Sequence, residues 1–282
     1  MWHGREVINF LFIFLLISDR AFAQFSATVL HNQKVKTNVK CQDQPGSVSS
    51  LPIIDLRAWS YSGSGNWLNS GTGGSAYDMA LGNGTAATTP TYVSSSPSHF
   101  LMDGGDYFRL VGAQTAFLDS MHQDNAIYTI VIEGHRASTS TQVWFSTGSW
   151  SNSVGVALYN TTSINYQVGD GSPVSGSCTG NASLCASGPS FGGTGTSFMA
   201  VAVNETAGTG TIRANGSSSA VTSTYSGPST ATAQHKFELG GVSESIVPNG
   251  TRFYRVRVWN VALTSSQLRD LYAYSGNYCP WY

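Results

Sequence analysis

Carboxylates are the first residues to weigh, because a sugar-cleaving site needs them and this chain has few. Beyond residue 23 the glutamates are Glu133, Glu205, Glu238 and Glu244, and no other carboxylate lies within four residues of the first three. A retaining glycosidase holds two carboxyls about 5 Å apart, which asks for i, i+2 or i, i+4 positions of one strand, or for facing strands. Glu133 closes a strongly apolar run and Glu238 sits inside Phe237-Glu238-Leu239, so only a meeting across strands could pair them. Nucleophilic chemistry has less support. No G-x-S-x-G elbow occurs, and His99, His122, His135 and His235 fall at turns or strand ends. The glycine clusters at 63–65, 71–74 and 192–195 lack the following Lys and the strand-to-helix context of a phosphate loop.

Two other chemistries fit the residues better. Loop carboxylates suit calcium, and the clustered acids are Asp103 with Asp106 and Asp119 with Asp124, with Asp170 in a glycine-flanked turn. Calcium is the expected cofactor if Asp103 and Asp106 hold a metal; the competing role of that pair is to fix a hairpin turn through local side-chain bonds. Sugar binding needs aromatic faces beside hydroxyl partners. Trp144, Trp150, Tyr159 and Tyr166 surround the Ser/Asn-rich stretch 147–153, with Asn152 inside it and Asp170 nearby in sequence. Trp150, between two serines, is the preferred platform, and Trp67, in a Gly/Ser loop beside Asn66 and Asn69, is the second. Trp144 and Tyr166 join the candidate set, although strand positions can equally be core.

The composition narrows the partners. Charged residues make 10% of the 282, against about 25% in an average protein, and the formal net charge is -1. No basic footprint for nucleic acid exists. Ser (40), Thr (26) and Gly (31) supply the polar surface instead, a composition that suits short strands and turns better than helices.

Residues 1–23 read as a secretory signal peptide: Arg5, an apolar run at 7–17, then Ala21-Phe22-Ala23 before Gln24. This eleven-residue run at about 1.5 Å per residue is too short to span a bilayer, so the mature protein is expected to be secreted and not integral to a membrane. Export permits disulfides. Of the three possible pairings, Cys178 with Cys185 and Cys41 with Cys279 is preferred, the first pair lying in one Gly/Ser-rich loop and the second near the two chain ends. Six N-x-S/T sequons occur, at Asn83, Asn160, Asn181, Asn204, Asn215 and Asn249.

The elements that must position these residues are mostly strands. Residues 24–50 read as an N-terminal strand and linker, and 51–282 as one domain. More than a dozen short β-prone runs follow, the strongest at 126–133, 197–203 and 251–259, separated by Asp-Gly, Asn-Gly and Pro turns. In the run 251–259 Phe253 is out of phase with Val256 and Val258, and the Arg255/Arg257 side is expected to be wet. One helix is expected: Thr264-Ser265-Ser266-Gln267 fits a capping box, Leu268, Leu271 and Tyr272 follow at helical spacing, and the end falls near Tyr274. Together these point to an all-β, two-sheet antiparallel sandwich of jelly-roll type with one short C-terminal helix.

Three passages carry a family resemblance: FLMDGGDYFRL at 100–110, DNAIYTIVI at 124–132 and GTRFYRVRVWNVALT at 250–264. They resemble the laminin-G-like members of the concanavalin A-like lectin/glucanase superfamily. That resemblance implies a jelly roll of two curved sheets with its chain ends close together, in agreement with a Cys41–Cys279 bridge. It does not fix a function, since this fold hosts lectins, adhesion modules and enzymes. The E-x-D-x-x-E strand of the family's glucanases is absent, and where laminin-G modules carry a calcium-binding Asp this chain reads Ser151-Asn152-Ser153. The reading favoured is a secreted, non-catalytic module that binds carbohydrate or a glycoprotein surface. The alternatives are an adhesion module with a protein partner and a glycoside-active enzyme using Glu133 and Glu238.

Overall fold

The computed structural model describes residues 44–148, 154–170, 182–233, 236–242 and 245–278. In chain order the elements are β1 (Ile54–Arg57), β2 (Met79–Leu81), β3 (Thr91–Val93), β4 (His99–Leu101), β5 (Phe108–Leu110), α1 (Ala116–Ser120), β6 (Ile127–Arg136), β7 (Gln142–Ser146), β8 (Val154–Asn160), β9 (Ser163–Asp170), β10 (Ala182–Ser190), β11 (Gly195–Asn204), β12 (Thr209–Ala214), β13 (Ser217–Thr222), β14 (Glu238–Leu239), β15 (Gly241–Val242), β16 (Ser245–Ile246), β17 (Arg252–Trp259) and α2 (Ser265–Tyr278). An eight-stranded sheet runs β13-β12-β11-β6-β17-β4-β3 with β1 also on β17, and a seven-stranded sheet runs β10-β9-β8-β7-β14-β5-β2. Their pairings are antiparallel. The all-β sandwich expected from the sequence is what the chain adopts.

Alternation explains how the sheets meet. In β6, Tyr128, Ile130 and Ile132 enter the core while Val131 turns to the other face, and β11 answers in register with Val203, Val201 and Met199. Aromatic rings fill the space between the sheets: Trp67 lies 4.7 Å from Phe100 and 4.9 Å from Phe108, and Trp144 lies 5.1 Å from Phe253 between ring centroids. Such offset and edge packing adds specific attraction to the area buried.

β17 corrects two expectations. Phe253 does reach the core with Val256 and Val258, because a bulge between Phe253 and Arg255 inserts the residue that resets the phase. The Arg255/Arg257 side is not wet. Arg255 and Arg257 are 2% and 1% exposed, since Asp55 of β1 and Glu133 of β6 meet them and α2 packs on the same sheet face.

The helix α2 begins as expected. The Gln267 amide donates to Thr264 Oγ1 at 3.2 Å and the Thr264 amide donates to Gln267 Oε1 at 2.9 Å, a reciprocal capping box. It continues to Tyr278, past the expected stop at Tyr274. Leu268 and Leu271 pack with Val131, Phe198, Ala200 and Trp259, and with Val48 from the stretch read as linker. Residues 44–50 therefore belong to the folded unit: Gln267 Nε2 donates to Ser47 O and Trp259 Nε1 to Ser50 O. A further one-turn helix, α1, is capped by Thr115 and was not expected. No described helix is long and apolar enough to cross a membrane.

Candidate functional site

The two glutamates do not meet. Glu133 projects from the outer face of the eight-stranded sheet, its neighbour Ile132 being in the core. There it accepts from Arg257 Nη2, and from Ser275 Oγ at 3.0 Å. Glu238 projects from the outer face of the seven-stranded sheet, its neighbour Leu239 being in the core, and accepts from Arg109 Nε at 2.6 Å. Packed sheets stand about 10 Å apart, and the ring layer fills that interval. Two carboxyls on opposite outer faces are not the close pair that retaining hydrolysis needs.

Three of the aromatic candidates are core residues. Trp67 and Trp144 are 0% exposed and Tyr166 is 1% exposed, so none offers a face to a sugar; this corrects their place in the candidate set. The physical reason is strand phase. Tyr166 shares the inward side of β9 with Ile164 and Val168, and Trp144 turns inward at the β7 bulge, donating from Nε1 to Asn160 Oδ1 at 2.6 Å. The Tyr166 hydroxyl meets that of Tyr128, which lies 2.9 Å from Tyr225 Oη, and burial pushes the Tyr166 phenol well up. Trp150 and Asn152 lie outside the described residues, as does the side chain of Asp170.

Asp103 and Asp106 close a turn through local bonds, although Asp106 Oδ1 is buried without a hydrogen-bond partner. Asp106 Oδ2 accepts the Asp103 amide at 2.7 Å and Asp103 Oδ1 accepts the Gly105 amide at 3.1 Å. Asp106 is 1% exposed, and burial first, then the neighbouring Asp103 carboxylate, push its carboxyl up to about 6 against the opposing pull of the Asp103 amide. Two carboxylates supply part of the six to eight oxygens calcium takes, the rest coming from carbonyls and water; among the described residues no group of three His, Cys, Asp or Glu converges. Asp119 is engaged elsewhere, accepting the Ala233 amide at 3.0 Å. Cys185 lies in β10, while Cys41, Cys178 and Cys279 lie outside the described residues.

What the fold does bring together is one rim of the seven-stranded sheet. Val154 pairs with Asp170, so the start of β8 lies beside the end of β9; in sequence, Trp150 and Asn152 fall in the connection between β7 and β8. β14 enters at the same edge, with Glu238 opposite Ser146. The base of that connection is tight: Gly155 has φ +141°, and a Cβ there would stand 2.7 Å from the Gly148 nitrogen. Just inside the rim, register places Arg109, Glu238, Ser146, Ala157 and Gln167 in one row on the outer face. The Arg109 side chain is 40% exposed and lies over the Tyr107 ring, 5.2 Å from its centroid. Of this row only Arg109 reaches the surface: Glu238, Ser146, Ala157 and Gln167 are buried, and Ser146 Oγ is engaged by Gly148. Sequence reasoning missed this row because nothing local marks Arg109 as the neighbour of Glu238, 129 residues away.

No known protein family matches the chain, and no curated relative matches it. Solved structures do. The binding domain of botulinum neurotoxin DC, in complex with rat synaptotagmin II, superposes with a TM-score of 0.55 at 10% identity, over 79% of this chain and 51% of that one. The botulinum neurotoxin serotype D binding domain gives 0.54 at 11% identity, over 79% and 50%. A Trypanosoma rangeli sialidase in complex with the inhibitor DANA gives 0.51 at 14% identity, over 89% and 38%. The likeness is one of fold. The chain spans about half or less of the length of these proteins.

Proposed function

We infer that the protein is an exported, non-catalytic β-sandwich binding module of laminin-G-like kind that takes carbohydrate at the rim where the β7–β8 connection meets the end of β9. The observation that carries this reading is the separation of Glu133 and Glu238 onto opposite outer faces, each against an arginine, in a chain with so few carboxylates. Binding does not need the close carboxylate pair that retaining hydrolysis needs. The neutral composition favours an uncharged or weakly charged polar ligand at this rim, with Trp150 as the stacking face and Asn152 and Asp170 as hydroxyl partners. The similar structures, among them toxin binding domains and a sialidase, make a ligand-binding sandwich a natural use of the fold.

The test is a glycan array probed with the mature chain, with calcium and with EDTA. Sugar binding is expected in both; binding lost in EDTA would assign calcium to the site, and an array blank under both conditions overturns the carbohydrate reading.

A further inference from the structure

The outer face of the eight-stranded sheet carries a second cluster, away from the rim. His99 on β4, Arg252 and Tyr254 on β17 and His135 on β6 all turn outward, since Phe100, Phe253 and Ile132 take the core side of the same strands. Arg252 stands in register between Leu101 and His135. The His99 ring meets Tyr254 edge-on at 5.8 Å, and Tyr274 of α2 packs against Tyr254. Three adjacent strands thus gather three cationic or cationisable side chains over a tyrosine floor.

Among the described residues the cluster has no carboxylate paired to it. Among the described residues Arg252 makes no ion pair, and its Nε is buried with no hydrogen-bond partner. The nearest acid along this face, Glu133, sits opposite Arg255 and is already taken by Arg257 and Ser275. His99 is oriented: its Nδ1 lies 2.8 Å from Pro97 O, and a carbonyl only accepts, so the proton is on Nδ1 and Nε2 is left to receive one. An oxyanion would supply the acceptor that Arg252 lacks and would favour the charged form of the neighbouring imidazoles.

We propose that His99, Arg252 and His135 form a binding site for the carboxylate or sulfate group of an anionic saccharide, with the buried Tyr254 packed beneath them. Arg252 supplies the permanent charge and a planar fork suited to either oxyanion. The groups that face the two imidazoles are Leu101 on β4, Arg252 and Tyr254 on β17, Thr196 on β11 and Tyr274 on α2, with Arg255 and Glu133 one step further along. Burial is the main cause that holds His99 and His135 down; on His99 the bond to Pro97 O pulls up against it, and the Arg252 charge, a smaller effect there, lowers both further. A bound anion favours their charged forms, so binding draws in protons and tightens as the solution is acidified. This site stands independently of the rim reading.

Calorimetric titration of the mature chain with a heparin-derived hexasaccharide, an oligogalacturonide and a neutral cellohexaose at pH 5.5 and 7.5 tests it. The sulfated or the carboxylated probe, or both, should bind about tenfold more tightly at pH 5.5, as uptake of a single proton over two pH units allows, and the neutral probe should show no such change. Arg252→Gln with His135→Gln should abolish the binding, and Arg252→Lys should recover part of it. Anionic probes that bind no better than cellohexaose, or a Kd unchanged in the double variant, would overturn the proposal. Because Trp150→Ala leaves this site intact, loss of anion binding in that variant would also count against it, whereas loss of neutral-glycan binding alone bears on the rim.

Discussion

Glu133 and Glu238, the carboxylate pair weighed for hydrolysis, stand on the outer faces of opposite sheets, with Arg257 and Arg109 as their partners. Glu133→Ala leaves the guanidinium of Arg257 buried without its main carboxylate. Breaking one side of such a pair costs about 3–5 kcal/mol, to be read as a lower unfolding midpoint in urea. Glu238→Gln, beside the half-exposed Arg109, should leave sugar binding within twofold of the parent; a hydrolytic activity abolished by either change would mean that the carboxylates are catalytic after all.

Trp67 and Trp150 should separate core from site. Trp67, 0% exposed among Phe100 and Phe108, is expected to cost about 3–5 kcal/mol as Trp67→Ala. Trp150→Ala should weaken sugar binding and leave the melting temperature unchanged. A large stability loss at Trp150 would show that it is core, and the rim would lose its platform.

Asp55 makes stability depend on acid. Burial alone would raise its carboxyl, but bonds from Arg255 at 2.7 Å and from Arg57, with the charge of Arg257, outweigh it and hold it below 3.8. A carboxylate depressed in the folded state stabilises fully above its unfolded value of 3.8 and loses that contribution as pH falls through the folded one. Melting temperatures of the parent should therefore fall steeply below about pH 4, and Asp55→Asn should be less stable at pH 7 with a shallower acid slope. Parallel pH profiles for the two proteins would refute this assignment.

Asn160 lies in a sequon but is 0% exposed, its Nδ2 donating to Ser140 O and Thr161 O and its Oδ1 accepting from Trp144. Expression in a glycosylating host should leave Asn160 unmodified while the exposed Asn83 is open to modification. Intact-glycopeptide mass spectrometry decides it, and a glycan found on Asn160 would contradict this packing.

Peptide mapping under non-reducing conditions should recover Cys178 linked to Cys185 and Cys41 linked to Cys279. A Cys41–Cys178 peptide would replace this pairing.

Local signals made much of the fold legible. The period-two pattern of 126–133 and 197–203 marks β6 and β11, and the Thr264/Gln267 box marks the start of α2, because each depends on residues a few positions apart. β10 and β13 left no such mark. Each lies at the end of its sheet with one strand neighbour in that sheet, and their Ser-rich sequences need no strong apolar stripe.

The sequence alone determines that this is an all-β sandwich poor in carboxylates, with Arg255 and Arg257 on one side of their strand. Which side of each strand is covered was decided by the tertiary structure. Alternation says which residues share a face and is silent on what lies over it, so Trp67 and Trp144 could not be told from surface platforms, nor Arg257 from a solvated charge. The contacts that settle these cases, Arg257 with Glu133 and Arg255 with Asp55, join residues 124 and 200 positions apart. The same closure of β4, β17 and β6 brings His99, Arg252 and His135 together, though they are far apart in the chain.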